Sequence, residues 1–320
     1  MTYKLIYQNI DTMKAFDITS LSGAITHSTS LNDQPGKIEF NLQRDPSGQL
    51  QLVNGGIIRF EVNDKGIFYG YVFRTGGDQE GTYRVIAYDQ TRYLKNEDTR
   101  IHEDVTASQF FAGICADFNL KHEIITPSTH IAPRERFTGT LYASMDYAIG
   151  HTNIAEGKQY FIRDNFGTLE FTEAEKTKTT LIIGDESLLT SYTYEISVDD
   201  DTFNTIKVYQ ENEDLGKQYS WIEFDSENQR RWGKLQKIVK VDDEMNESVI
   251  KQICEDYLKH YNRETKSMKL TALGVPELVA GSGFRLQIKD KEIDQDMRVL
   301  SATHTYSDDS HTMDIEVYMI

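Results

Sequence analysis

Compared with itself at an offset of 226 residues, this chain repeats a stretch of strand. Leu52, Val53, Gly55 and Arg59 recur as Leu278, Val279, Gly281 and Arg285, and Phe60-Glu61-Val62 recurs in pattern as Leu286-Gln287-Ile288. Further along, Thr82 to Tyr88 answers to Thr312 to Tyr318, with the offset now 230. A drift of this size is what turn-length changes between related strands produce. The chain therefore carries two sibling β modules, and a duplicated module can fill two places in a symmetric assembly. That points to architecture before chemistry.

Length and composition fit this reading. A chain of 320 residues suits more than one domain, each able to bury its own core. Tyr (18) and Phe (15) are abundant and Pro (5) is scarce, the bias that strands favour. No apolar run approaches the ~20 residues that span a bilayer, so no membrane partner is expected. Met1 to Tyr7 is too short and polar for a signal peptide, which predicts folding in a bacterial cytoplasm. The Asn246-Glu247-Ser248 sequon then carries no meaning. Cys115 and Cys254 lie on the apolar stripes of predicted helices, where reduced, buried thiols are expected.

The net charge is −17, from 51 acidic and 34 basic residues. A surface of that sign repels nucleic acid unless a basic patch is set apart. One such stretch runs from Arg230 to Lys240, with five positive charges, no negative one and Trp232. Arg230, Arg231, Trp232 and Lys234 are the candidate partner-contact residues, because Arg and aromatic side chains dominate contact energetics. A docking face for an acidic neighbour is preferred there over a nucleic-acid site, and specific nucleic-acid binding is not expected.

Along the chain, residues 1–95 read as strands, with Ile38, Phe40 and Leu42 alternating and Asp45-Pro46-Ser47-Gly48 turning. Thr106 to Gln109 reads as a capping box, followed by apolar residues at helical spacing from Ala107 to Phe118. A second helix is expected from about Ala143 to Ala155, ending near Gly157. A hairpin follows, with Tyr160 to Arg163 and Thr168 to Phe171 around Asp164-Asn165-Phe166-Gly167. Strands resume at Tyr192 to Ile196 and Thr205 to Tyr209, and a third helix is predicted over 246–261. The predicted fold class is α+β, β-dominated: a first β-barrel over 1–95, an α+β middle segment over 96–185, and a second β-barrel over 186–320 with the helix 246–261 inserted.

Chemistry is harder to find. There is no phosphate-binding loop, nucleophile elbow or zinc-helix motif, and the histidines lack metal-ligand spacing. Asp199-Asp200-Asp201 lacks the spaced oxygens and closing Glu of a calcium loop, so it reads as a solvated turn. No catalytic residue, cofactor site or metal site is expected.

Several phrases, taken in order, resemble one family. They are Arg44-Asp45-Pro46, Tyr88-Asp89 with Arg92 to Asn96, the helix from Ala107, and Gly157 with Tyr160 to Asp164 and Gly167-Thr168-Leu169. After these come Asn204 to Val208, Trp232-Gly233-Lys234-Leu235-Gln236, the Gly281 turn, Thr303-His304 and His311-Thr312-Met313. Nearly the whole chain thus resembles the baseplate hub proteins of contractile phage tails and tail-derived bacteriocins, in the XkdQ/YqbQ-like branch of the late-control gene D group. Such hubs usually have Tyr-Gly where this chain has Trp232-Gly233, and the aromatic is kept.

The resemblance implies a structural, non-enzymatic homotrimer. Each subunit would contribute two tail-tube-like barrels, making a pseudo-sixfold ring between a sixfold tail tube and a threefold spike. The implied partners are tail tube protein, spike protein and other baseplate proteins, in a phage tail or tail-like particle. An acidic lumen would then discourage adhesion of passing cargo. A rival reading is a cell-wall protein, glycan-binding or hydrolytic, whose aromatic strands stack sugars. A tail-terminator or distal-tail adaptor is a third.

Overall fold

Alternation decides the strands. Ile38, Phe40 and Leu42 are buried in one core while Asn41 and Gln43 between and beyond them face water. The computed structural model describes every residue except 32, 80, 200, 213–216, 242–244, 308, 309 and 320.

The chain opens with β1 (Tyr3–Gln8), β2 (Ala15–Asp17), β3 (Ser22–Ser30), β4 (Lys37–Gln43), β5 (Ile57–Val62), β6 (Lys65–Gly77) and β7 (Thr82–Tyr88). The middle holds β8 (Glu97–His102), α1 (Ala107–Asp117), β9 (His122–Ile124), β10 (Glu135–Thr140), α2 (Leu141–Glu156), β11 (Tyr160–Asp164) and β12 (Leu169–Glu173). Then come β13 (Lys178–Gly184), β14 (Leu189–Ser197), β15 (Thr205–Asn212), β16 (Lys217–Phe224), α3 (Ser226–Trp232), β17 (Gln236–Val241) and α4 (Glu247–Tyr261). The last strands are β18 (Thr265–Leu273), β19 (Gly283–Ile288), β20 (Ile293–Ser307) and β21 (Ser310–Met319).

The repeat in the sequence is also a repeat in the sheet. The first module pairs its strands in the order β1, β5, β6, β7, β4, β3, and the second in the order β13, β19, β20, β21, β18, β14. Registers match as well. Ile57 opposes Tyr71 as Gly283 opposes Arg298, and Phe40 opposes Val85 as Leu270 opposes Ile315. Both modules break register at the same point, between Val72 and Arg74 on β6 and between Val299 and Ser301 on β20. Gly55 and Gly281 both hold left-handed backbone, with φ of +85° and +84°, which explains why glycine stands at both repeat positions. One difference is that β1 runs antiparallel to β5, whereas β13 runs parallel to β19.

β3 also pairs with the outer half of β20, from Ser30 opposite Ser301 to Ile25 opposite Tyr306. This ladder fuses the modules into one 13-stranded sheet. No ladder among the described residues closes either module into a barrel. In the first, β1 reaches the turn before β3 only through two hydrogen bonds, Ile18 N–H to Leu5 O (2.9 Å) and Leu5 N–H to Thr19 Oγ1 (2.8 Å).

The middle segment builds its own core from Phe111, Ile114 and Cys115 of α1, Met145 of α2, and Ile162 and Phe171 of the hairpin. The capping box forms, with Thr106 Oγ1 and Gln109 each accepting the other's backbone N–H. α2 starts two residues earlier than expected because Thr140 caps it, and it ends at left-handed Gly157. The segment between β14 and β18 carries more than the expected helix. β16, β15 and β17 form a separate sheet, and α4 packs Ile250, Cys254 and Tyr257 on Ile206, Val208, Val239 and Val241.

Candidate assembly surfaces

The seam between the modules is the first surface, already filled. β3 and β20 bring His27 opposite His304, and the buried rings stack at 6.2 Å. Tyr306, from the second module, sits wholly within the first module's core, its ring 4.9 Å from Phe60 and 4.0 Å from His311. Two further bonds sew the seam, Ala280 N–H to Thr29 Oγ1 (2.9 Å) and Ser28 Oγ with Thr303 Oγ1 (3.2 Å).

The histidines here are neutral. Burial, then the neighbouring His304, holds His27 down to about 3, and the same two causes hold His311 down to about 4. Burial also lowers His304. His304 Nε2 lies 3.0 Å from Leu278 O, which accepts only, so Nε2 carries the proton. His304 Nδ1 then accepts from His311 Nε2–H at 3.0 Å, leaving His311 Nδ1 buried without a partner.

The second surface is an uncovered edge. Tyr192 and Tyr194 of β14 oppose the buried Leu270 and Met268, and Ile196 opposes the exposed Lys266; Tyr194 is 60% and Ile196 54% exposed. Among the described residues, β14 ladders only with β18. Among the described residues, the outer end of β6, Arg74 to Gly77, likewise ladders only with β7.

The third surface carries the predicted contact residues. Arg230, Arg231 and Trp232 lie in the last turn of α3, not on a strand, and Lys234 follows Gly233. Arg230, Arg231 and Lys234 are exposed, and the Arg231 guanidinium lies 5.5 Å from the Trp232 ring centre. Lys237 is turned inward between Phe203 (4.8 Å) and Tyr261 (4.5 Å). The sequence reading missed the apolar part of this surface. α4 covers one face of the β16·β15·β17 sheet, and the other face exposes Ile222 (49%), Phe224 (55%) and Ile238 (57%) beside Lys207. The alternation of Ile222 and Phe224 with polar neighbours was the available signal, but it could not tell the covered face from the open one.

A cleft of about 1050 Å³ separates the 130–134 loop and α2 from α4 and β17. Its one Tyr lining residue, Tyr257, is buried with its hydroxyl 3.1 Å from His151 Nδ1, so it offers no ring face to a sugar. Of its carboxylates, Glu103 accepts from Arg134 Nε (2.9 Å) and Asp256 from Gln252 Nε2 (2.9 Å).

Elsewhere, the buried Asp89 and the half-buried Asp164 lie together where β7 meets the β11·β12 hairpin. Burial pushes Asp89 up to about 7; burial, then Asp89, pushes Asp164 well above the usual carboxylate range. Burial lifts the Cys115 thiol to about 12 and raises Cys254, so neither is a nucleophile. In the Asp199–Asp201 turn, Asp200 lies outside the described residues and its two neighbours are exposed. Among the described residues no group of three or more His, Cys, Asp or Glu could hold a metal.

The fold is that of phage tail proteins. The prophage MuSo2 43 kDa tail protein from Shewanella oneidensis superposes with a TM-score of 0.68, at 15% identity, covering 98% of each chain. A tail protein from Neisseria meningitidis MC58 gives 0.71 at 10% identity, covering 99% of this chain and 97% of that one. The chain belongs to the YqbQ-like family, whose sequence pattern matches residues 25–318. It is similar to the phage-like element PBSX protein XkdQ of Bacillus subtilis, 26% identical over 267 residues, covering 82% of this chain and 81% of the relative. No helix among the described residues is long and apolar enough to cross a membrane.

Proposed function

We propose that this chain is a structural baseplate hub in a phage tail or tail-like bacteriocin particle, matching a sixfold tail tube to a threefold spike. The observation that carries this reading is the duplicated strand order joined by the β3·β20 ladder. One chain thereby supplies two successive places in a ring, and three chains supply six. The proposed units are 1–95, 96–185 and 186–320, with the two β modules acting as tail-tube-like barrels once assembled. The chain folds in the bacterial cytoplasm and is then built into the particle.

The basic surface fits a protein neighbour. Arg230, Arg231, Trp232 and Lys234 lie on the connection between β16 and β17, the strands whose exposed Ile222, Phe224 and Ile238 supply apolar area. Basic side chains joined to an exposed apolar sheet face suit an acidic partner subunit. Membrane and specific nucleic-acid partners form no part of the proposal.

Light scattering of the chain co-expressed with the neighbouring tail gene products tests the stoichiometry. A threefold particle is expected, and a stable closed dimer or tetramer would overturn the reading. The cell-wall alternative predicts lysis in a bacterial-wall zymogram that one carboxylate substitution abolishes. The hub predicts no clearing, because among the described residues of the cleft no nucleophile, base and orienting group converge.

A further inference from the structure

One contact of the duplicated sheet is made and its counterpart is left open. Within the chain, the first module's edge strand β3 is covered by the outer half of β20. The second module's corresponding strand, β14, has β18 on one side and no ladder on the other among the described residues. The segment corresponding to the outer half of β20 is the end of β6, which follows the same bulge and is open on the same edge. Both halves of the missing contact therefore sit on one chain, one in each module.

We propose that β14 of one copy pairs with the end of β6 of the next, reproducing between chains the β3·β20 ladder made within each. This rests on the hub reading for the number of copies, while the pairing itself follows from the strand equivalence. A head-to-tail contact of this kind closes into a ring when its rotation permits.

The register can be carried over residue by residue. Ile25 and His27 oppose Phe40 and Ile38, and Tyr192 and Tyr194 oppose Leu270 and Met268. Phe40 and Ile38 oppose Val85 and Ala87, as Leu270 and Met268 oppose Ile315 and Val317. Hence His27 corresponds to Tyr194, Thr29 to Ile196 and Ser28 to Glu195. Through the same partners, Ser301, Ala302, Thr303 and His304 correspond to Arg74, Thr75, Gly76 and Gly77. The pairing between copies then sets Ser197 opposite Arg74, Ile196 opposite Thr75, Glu195 opposite Gly76 and Tyr194 opposite Gly77.

The side chains suit that register. Gly76 and Gly77 leave bare backbone beneath the Tyr194 ring, at the position where two imidazoles stack within the chain. Glu195 comes diagonal to Arg74, within reach of a long cationic side chain. Tyr194 and Ile196 lose the exposure they have in the single chain. From Tyr192 to Ser197 the edge carries one charge and no proline, few of the guards an unpaired edge normally has.

Cysteine cross-linking tests the register. The Ser28 and Thr303 hydroxyls meet at 3.2 Å, so the equivalent Gly76→Cys/Glu195→Cys pair falls within disulfide reach only if the pairing forms between copies. A Cβ at Gly76 meets nothing within 4 Å, and both native cysteines are buried. The doubly substituted full-length chain is co-expressed with the neighbouring tail proteins, oxidised mildly, and run on non-reducing gels beside light scattering. Ser28→Cys/Thr303→Cys serves as the control that bridges within one chain. A covalent product of three chain masses is expected, with the control staying at one. Threefold particles without cross-links would overturn the pairing and leave the hub standing. Cross-linked dimers, tetramers or open ladders would keep the pairing and overturn the threefold hub. Absence of both assembly and cross-links would overturn both. As a second readout, Ile196→Asp should leave the isolated chain's denaturation midpoint unchanged and abolish assembly.

Discussion

β3 and β14 hold the same place in two copies of one strand order, yet Ile25 and His27 of β3 are buried while Tyr194 and Ile196 of β14 are more than half exposed. The neighbour makes the difference, since β20 lies along the outer edge of β3, whereas among the described residues no strand lies along the outer edge of β14. Burial along a strand is thus a property of the sheet it joins, and a duplicated module inherits its partner's needs along with its own pattern. In the first module those needs are met by Tyr306 and a histidine stack. In the second, no described strand meets them.

The sharpest way to break this comparison is to empty the filled seam. Tyr306→Ala removes a buried ring from the first module's core and should cost about 3–5 kcal/mol of unfolding free energy. Tyr194→Ala, at the open edge, should change the isolated chain by no more than about 0.5 kcal/mol. Denaturant titration of the two variants checks both. Equal costs would mean that β14 is covered within the single chain.

Acid should open the same seam. His27 and His311 are held near 3 and 4 in the folded chain, below the 6.5 of a free imidazole. The unfolded chain therefore takes up protons first, and stability falls as the pH drops from about 6.5 to about 4. Keeping one fully buried imidazole neutral across that range costs about 3 kcal/mol. The buried carboxylates pull the other way over the same range, so the test is a difference: between pH 7 and 4, His27→Gln/His304→Gln should lose less stability than the unchanged chain, and identical slopes would place the acid sensitivity elsewhere.

Smaller effects test how the first module meets the middle segment. A Cβ on Gly66 would lie 2.6 Å from the Phe166 ring, so Gly66→Ala should cost about 1–3 kcal/mol. The buried carboxylates act with the opposite sign to the histidines. Asp89 is raised to about 7, so the unfolded chain ionises first and stability is lost as the pH rises from about 4 to about 7. Asp164→Asn keeps the oxygen that accepts from Gly167 N–H (2.8 Å) and removes the like charge. It should flatten that loss and raise the midpoint at pH 7 by an amount equivalent to about 1 kcal/mol. Smallest of all on the fold, Arg231→Ala/Trp232→Ala should leave the denaturation midpoint nearly unchanged while weakening assembly. Duplex DNA binding with a steep salt dependence, lost in that double variant, would make the patch a nucleic-acid site instead.

Much of this was legible in the residues. The Gly55 and Gly281 turns, the Thr106 capping box and the Gly157 helix end rest on local rules, and local rules survive without knowledge of partners. The α3 helix escaped notice because Arg230 to Lys240 reads as one basic run, whereas Asp225 caps a helix of seven residues that ends at Gly233. The β3·β20 ladder was not readable at all. It joins residues some 275 apart, and alternation names a strand's faces without naming its neighbour. The exposed Ile222, Phe224 and Ile238 face was hidden for the same reason.

Imaging the complex of this chain with its neighbouring tail proteins, by negative stain or cryo-electron microscopy, tests the hub most directly. The account predicts threefold rings in which six similar β modules surround a central opening, two from each chain. Closed dimers or tetramers, or rings in which the two modules of a chain occupy unrelated positions, would contradict it.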